Sequence, residues 1–284
     1  MPRKRWMEAM DRPQQSAARP LLAPAIRPTA AVLAAVCAAV TVFLGAQYTH
    51  QGRAGWLDRA IDRRVRAGLG WHAGLLNFVT GIGDPVPVTV MTVALVVACL
   101  ATHRWHGALL VAVAVPLASA LTEFLLKPLV DRTMQGALSF PSGHTTGMFA
   151  LAGVCTVLLA GPSRPRTRVG WRVLLGLAAY LAATAVAVAM VGLGAHYFTD
   201  TAAGAAVGTS VVLLTALILD RLGRPAPRPP SPAGQPAPAP AGRKLAPAEF
   251  SAAGAGLRPA CPAHRGGWPA RIGRVTGSRI RCSR

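Results

Sequence analysis

Six long apolar runs, separated by short polar breaks, constrain the fold of this chain more than any other feature of its sequence. The runs cover approximately residues 29–47, 86–102, 107–126, 144–161, 171–193 and 201–219. Each is close to the roughly 20 residues that a helix needs to cross the hydrocarbon core of a bilayer. Because a helix satisfies its own backbone hydrogen bonds, it is the expected form of such a segment in lipid. The pattern therefore predicts an all-α fold, a polytopic membrane bundle of six helices.

The composition divides the 284-residue chain into three parts. A basic leader covers residues 1–28, a six-span membrane domain covers 29–220, and a tail rich in Pro, Ala and Arg covers 221–284. Only 14% of the residues are charged, whereas a soluble domain has about 25%. The first run follows the leader and is long enough to span, so we interpret it as a transmembrane helix and not as a cleavable signal peptide. The tail has few large apolar residues to offset the entropy of ordering, so we expect disorder there.

The basic residues predict the orientation of the bundle. Six spans place both termini on one side, and that side then carries 23 of the 30 Lys and Arg residues. Positive charge marks cytoplasmic loops, so we expect cytoplasmic termini and outward-facing breaks around residues 127–143 and 194–200. The abundance of Ala, Arg, Gly and Pro suggests a GC-rich bacterial genome and hence the plasma (inner) membrane of a bacterium. Basic and aromatic residues are not interleaved as in a nucleic-acid reader, so no nucleic-acid partner is predicted. The oligomeric state is left open.

The cysteines indicate neither a metal site nor a disulfide framework, because none of their spacings fits one. We predict free thiols that act as small hydrophobes where they lie in apolar runs. No metal and no other cofactor is predicted. The five positions are Cys37, Cys99, Cys155, Cys261 and Cys282.

The longest outward connection, residues 50–84, contains apolar residues at helical spacing beside several arginines. This pattern predicts an amphipathic helix along the outer interface. Packing over the bundle is the expected role, and gating the lateral access of a lipid is the alternative. The residues are Trp56, Leu57, Ile61, Val65 and Leu69, with Arg59, Arg63, Arg64 and Arg66.

The string Pro141-Ser142-Gly143-His144 stands immediately before the fourth apolar run. Ser142 is a favoured helix N-cap, and Gly143 allows a ligand to approach the backbone closely. The first unpaired amides of a helix attract an anion, and His144 stands where it can give a proton to a leaving oxygen. Taken alone, the string is equally compatible with a capped helix start and an uninvolved histidine.

His196 and Asp200 fall in the break between the last two runs. Their i, i+4 spacing brings the two side chains together if the segment is helical. A carboxylate on one ring nitrogen leaves the other nitrogen basic and directed outward, as a nucleophilic histidine requires. A helix start beside an uninvolved histidine is again the alternative.

Lys127 and Arg132 lie on the same predicted face, ahead of the anion-binding turn. Two cations can neutralise phosphate oxygens, and stabilising that charge is most of what phosphoryl transfer requires. The alternative is a pair of cations that snorkel to the interface. Glu123, one turn before Lys127, is an ionisable residue in the bilayer region, which hints at function. It is a candidate partner of Lys127.

Taken together, these strings resemble the three motifs of the type 2 phosphatidic acid phosphatase superfamily, which includes membrane lipid-phosphate phosphatases and related vanadium haloperoxidases. The resemblance covers roughly residues 120–205. It implies that His196 attacks phosphorus and forms a phosphohistidine. It also implies that Asp200 orients His196 and that His144 protonates the leaving group and then activates water. The implied phosphate ligands, with no metal required, are Lys127, Arg132, Ser142 and the amide of Gly143.

Two positions depart from the family pattern. The family has an arginine seven residues after the lysine and another six residues before the nucleophile, where this chain has Met134 and Met190. The chain is therefore predicted to be a divergent member with incomplete first and third motifs. Bidentate guanidinium–phosphate contacts are strong, so their loss weakens the expected grip on the phosphate.

These observations predict a membrane-bound hydrolase of phosphoric monoesters or diphosphates, whose substrate is a lipid phosphate at the outer face. Two alternatives remain open. One is a lipid phosphotransferase that passes the same phosphohistidine group to an alcohol. The other is a catalytically impaired membrane protein that binds lipid.

Overall fold

A computed structural model describes residues 20–161 and 169–223 of the chain. Most of the predicted leader and all but the start of the predicted tail, together with the 162–168 connection, lie outside these described residues. The described part is built almost entirely from helices. In chain order they are α1 (Arg27–Tyr48), α2 (Trp56–Leu69), α3 (Ala73–Ile82), α4 (Pro85–Ala101), α5 (Trp105–Ala120), α6 (Lys127–Val130), α7 (Gly143–Ala160), α8 (Val169–Gly192) and α9 (Phe198–Leu222).

Smaller elements connect these helices at one end of the bundle. A π-helix, Leu121–Leu126, joins α5 to α6 without a break. A two-stranded antiparallel hairpin then pairs β1 (Thr133–Met134) with β2 (Ala137–Leu138). Short 3-10 turns cover Pro24–Ile26 and Gly70–His72.

The predicted polytopic membrane fold is confirmed. Five helical segments of the described residues are long and apolar enough to cross a membrane. A sixth span results if the bent pair Trp56–Ile82 and Pro85–Ala101, which meet at 43°, is counted as one. The second predicted run corresponds to α4, which is 17 residues long. The five segments are Pro24–Tyr48, Trp105–Val130, Gly143–Ala160, Val169–Gly192 and Phe198–Leu222.

The helices α7 and α9 form the centre of the bundle. In each of the two helices, 56% of the most apolar stretch of 18 residues is buried, against 33% or less in the other spanning segments. Their packing is close because Gly204 and Gly208 lie one turn apart on the face of α9 that meets α7. A Cβ atom on Gly204 would lie 2.6 Å from the carbonyl oxygen of Ser142, and one on Gly208 would lie 2.5 Å from that of Thr146. Small residues that let two backbones approach are typical of helix contacts in membranes.

The predicted amphipathic helix is present as α2, but its buried side differs from the prediction. Asp58 and Asp62 are its two buried residues, whereas Trp56 remains 73% exposed. The helix carries two aspartates and four arginines, which keeps it out of hydrocarbon. It therefore packs its carboxylates against the ends of the spanning helices, where they find charged and hydrogen-bonding partners.

At the opposite end of α9, Asp220 anchors the start of the described chain. Its carboxylate accepts hydrogen bonds from the amides of Leu21 and Leu22 at 2.6 and 3.0 Å, and it pairs with Arg27 at 3.1 Å. The thiols of Cys37, Cys99 and Cys155 are free, as predicted. Cys261 and Cys282 lie outside the described residues.

Candidate active site

The starts of α7 and α9 lie side by side, so that the two histidine strings share one end of the bundle. Ser142 occupies the N-cap position of α7, as predicted. Its amide donates a hydrogen bond to the carbonyl oxygen of Asp200 at 3.0 Å. Its hydroxyl group is buried and accepts a hydrogen bond from Thr145 Oγ1 at 3.2 Å. Ser142 therefore joins the two strings, although its side chain faces the bundle interior.

His196 lies in the turn before α9, and Asp200 lies in the first helical turn. The helix begins at Phe198 with Tyr197 as its N-cap, and Asp200 Oδ2 accepts the Tyr197 amide at 3.2 Å. His196 Nδ1 lies 3.7 Å from Asp200 Oδ2, beyond hydrogen-bond distance. This Nδ1 atom is buried without a hydrogen-bond partner among the described residues. The predicted pair thus lies close together, without a hydrogen bond between the two side chains.

Arg132 occupies a different place from the predicted one. We expected a phosphate ligand, but its side chain is fully buried and does not line the cavity described below. The guanidinium group donates to Asp58 at 2.7 Å, to Asp200 at 2.6 Å and to Thr199 Oγ1 at 2.7 Å. Its charged plane also lies over the rings of Tyr48 and Tyr197, 4.1 and 4.3 Å from their centroids. Two of its nitrogens pair with carboxylates, one of them that of Asp200, whereas its buried Nε has no hydrogen-bond partner among the described residues.

The carboxylates of α2 complete this buried network. Burial acts to raise the pKa of Asp58, but hydrogen bonds from Arg132, Thr199 and Gly55 outweigh it and hold that pKa below its ordinary value. Asp62 accepts the Phe198 amide at 3.1 Å. Burial first, and then the neighbouring charges of Asp58 and Asp200, raise the pKa of Asp62 to about 6.

A cavity of about 800 Å³ opens beside the two histidines. Four of the predicted site residues line it: Lys127, Gly143, His144 and His196. The other three, Arg132, Ser142 and Asp200, do not and lie buried behind it. The remaining wall is mainly apolar and comes largely from α4 and α5, with further residues from the π-helix and the hairpin.

Two carboxylates contact Lys127 and His144. Glu123 Oε2 pairs with Lys127 Nζ at 2.7 Å, which confirms the predicted partnership. Asp84 Oδ1 lies 2.8 Å from His144 Nε2. Asp84 is not among the residues predicted from the sequence, although its position directly before Pro85, at a helix start, is a signal that could have identified it.

Met134 and Met190, which stand where the family pattern has arginines, occupy different environments. Met134 lines the cavity, so an apolar thioether stands there. Met190 is buried in the core, and only its carbonyl oxygen serves the site, by accepting the amides of Ala195 and His196 at 3.0 and 3.4 Å. No group of three or more metal-ligating side chains was found among residues 20–161 and 169–223.

This fold and site define a multi-pass helical membrane protein with two histidines and a lysine in one cavity at an end of the bundle. Residues 107–224 match the sequence model of the PAP2 superfamily. The match spans all seven predicted site residues and confirms the resemblance drawn from the sequence.

A solved structure has a similar fold. The chain is similar to the crystal structure of the first transmembrane PAP2 type phosphatidylglycerolphosphate phosphatase from Bacillus subtilis. The two share 17% sequence identity with a TM-score of 0.52, over 64% of this chain and 93% of the other. At this identity the likeness concerns the fold. No curated protein matches the sequence significantly.

Proposed function

We propose that the protein is a membrane-bound phosphatase that hydrolyses a lipid phosphate or diphosphate through a phosphohistidine intermediate. The observation that carries this proposal is the meeting of His144, His196 and Lys127 on the wall of one cavity whose other wall is apolar. The PAP2 match and the phosphatase fold support a phosphatase in general terms. The lipid substrate and the histidine mechanism are inferred from the site.

In the proposed mechanism His196 is the nucleophile. Its Nδ1 faces Asp200, which leaves Nε2 to attack phosphorus. The Asp200 carboxylate is fixed by Arg132 on its other oxygen, so it can hold the imidazole in one orientation. On the opposite side of the phosphate, His144 gives a proton to the leaving oxygen and then takes one from the attacking water. Asp84 positions His144 through the contact to Nε2.

The apolar part of the cavity supports an amphiphilic substrate. The wall that α4 contributes runs from Pro85 to Val96, which corresponds to about 16 Å along a helix. Val93 and Phe124 line the same cavity and are 55% and 82% exposed, so they would face lipid in a membrane. The cleft is therefore suited to an alkyl or polyprenyl chain whose phosphate reaches the histidines.

The second candidate function is lipid binding by a catalytically impaired protein. It is favoured because the cavity offers few cationic groups to neutralise a bound phosphate. Arg132 is paired with two carboxylates. Met134 lines the cavity at the position where the family pattern has an arginine. Lys127, the Gly143 amide and His144 must then stabilise the transition state alone. Losing one comparable donor in other enzymes costs about 3–4 kcal/mol of transition-state stabilisation.

Phosphate release from the purified protein in nanodiscs separates these candidates. A panel of lipid monophosphates and diphosphates is incubated with wild type, His196→Ala and His144→Ala. His50→Ala is the matched control, because His50 is an exposed histidine outside the cavity. We expect release by wild type and the control, with loss in both site variants. Release that His196→Ala leaves unchanged would contradict the mechanism, and binding without release from any lipid would favour the impaired protein. Transfer to an added alcohol would reveal a phosphotransferase.

A further inference from the structure

The carboxylate of Glu123 lies where the phosphate is expected. One oxygen pairs with Lys127 Nζ at 2.7 Å. The other lies so close to Gly143 that a Cβ atom at that position would overlap it. Lys127 and the backbone at Gly143 are two of the groups to which the phosphate is assigned, so an internal anion already occupies their shared space.

The backbone around Glu123 fixes this placement. Leu121–Leu126 is a π-helix, in which the Lys127 amide donates to the carbonyl oxygen of Thr122, five residues earlier. Such single π-turns are frequent at functional sites. Thr122 is fully buried, and its hydroxyl contacts Thr146 Oγ1 on α7 at 3.2 Å. The segment is therefore held against α7, with Glu123 directed at the start of that helix.

Glu123 also cancels charge inside the cavity. Apart from the histidines, the charged side chains that line the cavity in the described residues are Lys127 and Glu123. A phosphate dianion that enters this space meets a lysine already neutralised at contact distance. Like charges a few ångströms apart in a partly desolvated site repel strongly, so phosphate and the Glu123 carboxylate cannot share the position.

We propose that Glu123 is a specificity-determining residue that competes with phosphate for Lys127 and the Gly143 backbone, and that a phosphate group binds only by displacing it. The proposal rests on the proposed function of the site. A lipid phosphate can offset the displacement because its chain also binds in the apolar cleft. Free inorganic phosphate has no chain, so Glu123 excludes it, favours lipid-linked phosphates and promotes product release.

The test measures the affinity of inorganic phosphate for the full-length protein in detergent, by calorimetry and as inhibition of lipid-phosphate hydrolysis. Glu123→Gln keeps the size of the side chain and removes its charge. Asp131→Asn is the matched control, since it removes the same charge from an exposed residue outside the cavity. Glu123→Ala is a second variant, which guards against a folding defect of the first.

We expect phosphate to bind Glu123→Gln and Glu123→Ala at least about tenfold more tightly than wild type, and Asp131→Asn to match wild type. Equal or weaker binding by both Glu123 variants, with measurable binding to wild type, would overturn the role of Glu123 and leave the phosphatase intact. An equal gain in Asp131→Asn would reduce the effect to general charge and overturn it too. If neither phosphate nor vanadate binds any of the four proteins, the proposed function itself fails.

Discussion

The amide of Ser142 donates a hydrogen bond to the carbonyl oxygen of Asp200, across 58 residues of sequence, at 3.0 Å. This bond ties the turn that carries His144 to the turn that carries His196. The close contact of α7 with the glycine face of α9 continues the same junction into the bundle. Backbone contacts therefore join the two turns that carry the histidines.

The first prediction concerns this junction. Gly204→Ala is expected to destabilise the protein by about 1–3 kcal/mol, since a methyl group would press on the Ser142 carbonyl in a close-packed interface. Thermal unfolding in detergent measures the loss, and lipid-phosphate hydrolysis should fall with it. Gly74→Ala is the control, because a Cβ atom there meets nothing within 4 Å. Equal midpoints for the two variants would contradict the assigned contact.

The second prediction separates the two roles considered for Arg132. Arg132→Met leaves Asp58 and Asp200 buried without their cation, which typically costs about 3–5 kcal/mol. We expect a large fall in the unfolding midpoint of this variant. The companion Lys127→Met removes a cation from the cavity wall, so it should lower vanadate affinity with little change in the midpoint. Reversed behaviour of the two variants would restore Arg132 as the phosphate ligand.

The third prediction concerns Asp62, whose titration makes the free energy of unfolding depend on pH. Its pKa in the folded protein is about 6, above the ordinary value of 3.8. The folded state thus favours the protonated form of Asp62. The stability that this protonated form contributes is lost as the pH rises through 6. Asp62→Asn keeps an oxygen for the Phe198 amide and removes the charge, so it should stabilise the protein above pH 6, by at most about 3 kcal/mol. The gain should vanish near pH 4, and a gain that is constant over this range would refute the assignment.

The fourth prediction concerns Asp84, which contacts His144 but does not line the cavity. Asp84→Asn is expected to lower kcat by less than the 10²- to 10⁴-fold attributed to a general acid, with little change in KM. Asn keeps an oxygen that can contact His144 Nε2, so Asp84→Asn should retain more activity than Asp84→Ala. Equal loss of kcat in the two variants would contradict a positioning role for this contact.

The fifth prediction tests orientation. We propose that the end of the bundle holding the cavity faces away from the cytoplasm, in a bacterial plasma membrane, with cytoplasmic termini. In a cysteine-free background, Gln51→Cys at the cavity end should react with a membrane-impermeant maleimide in intact cells. His103→Cys at the opposite end should react only after lysis. The reverse pattern would place the site on the cytoplasmic side.

Much of the fold follows from the sequence because hydrophobic length is a local property. The predicted runs lie within a few residues of the observed helices, including 144–161 for α7 and 201–219 for α9. The helix α2 was predicted from its pattern, but its buried face was not. A buried aspartate needs a charged or hydrogen-bonding partner. The partner of Asp58 is Arg132, which lies 74 residues away in the sequence.

The site was predicted less completely, because its contacts also join residues that are far apart in the sequence. Lys127, Gly143, His144 and His196 line one cavity. The contacts of Asp84 with His144 and of Arg132 with Asp200 join residues 60 and 68 positions apart. Such pairings depend on how helices pack, and neither spacing nor composition encodes them.

The cleft between α4 and α5 also bears on how the rate should be measured. Because Val93 and Phe124 line it and are exposed, a lipid phosphate, the proposed substrate, would reach the histidines by diffusing within one leaflet, without passing through water. Saturation would then follow the mole fraction of substrate among the surrounding lipids, and diluting the bilayer with inert lipid would slow turnover even at constant bulk concentration.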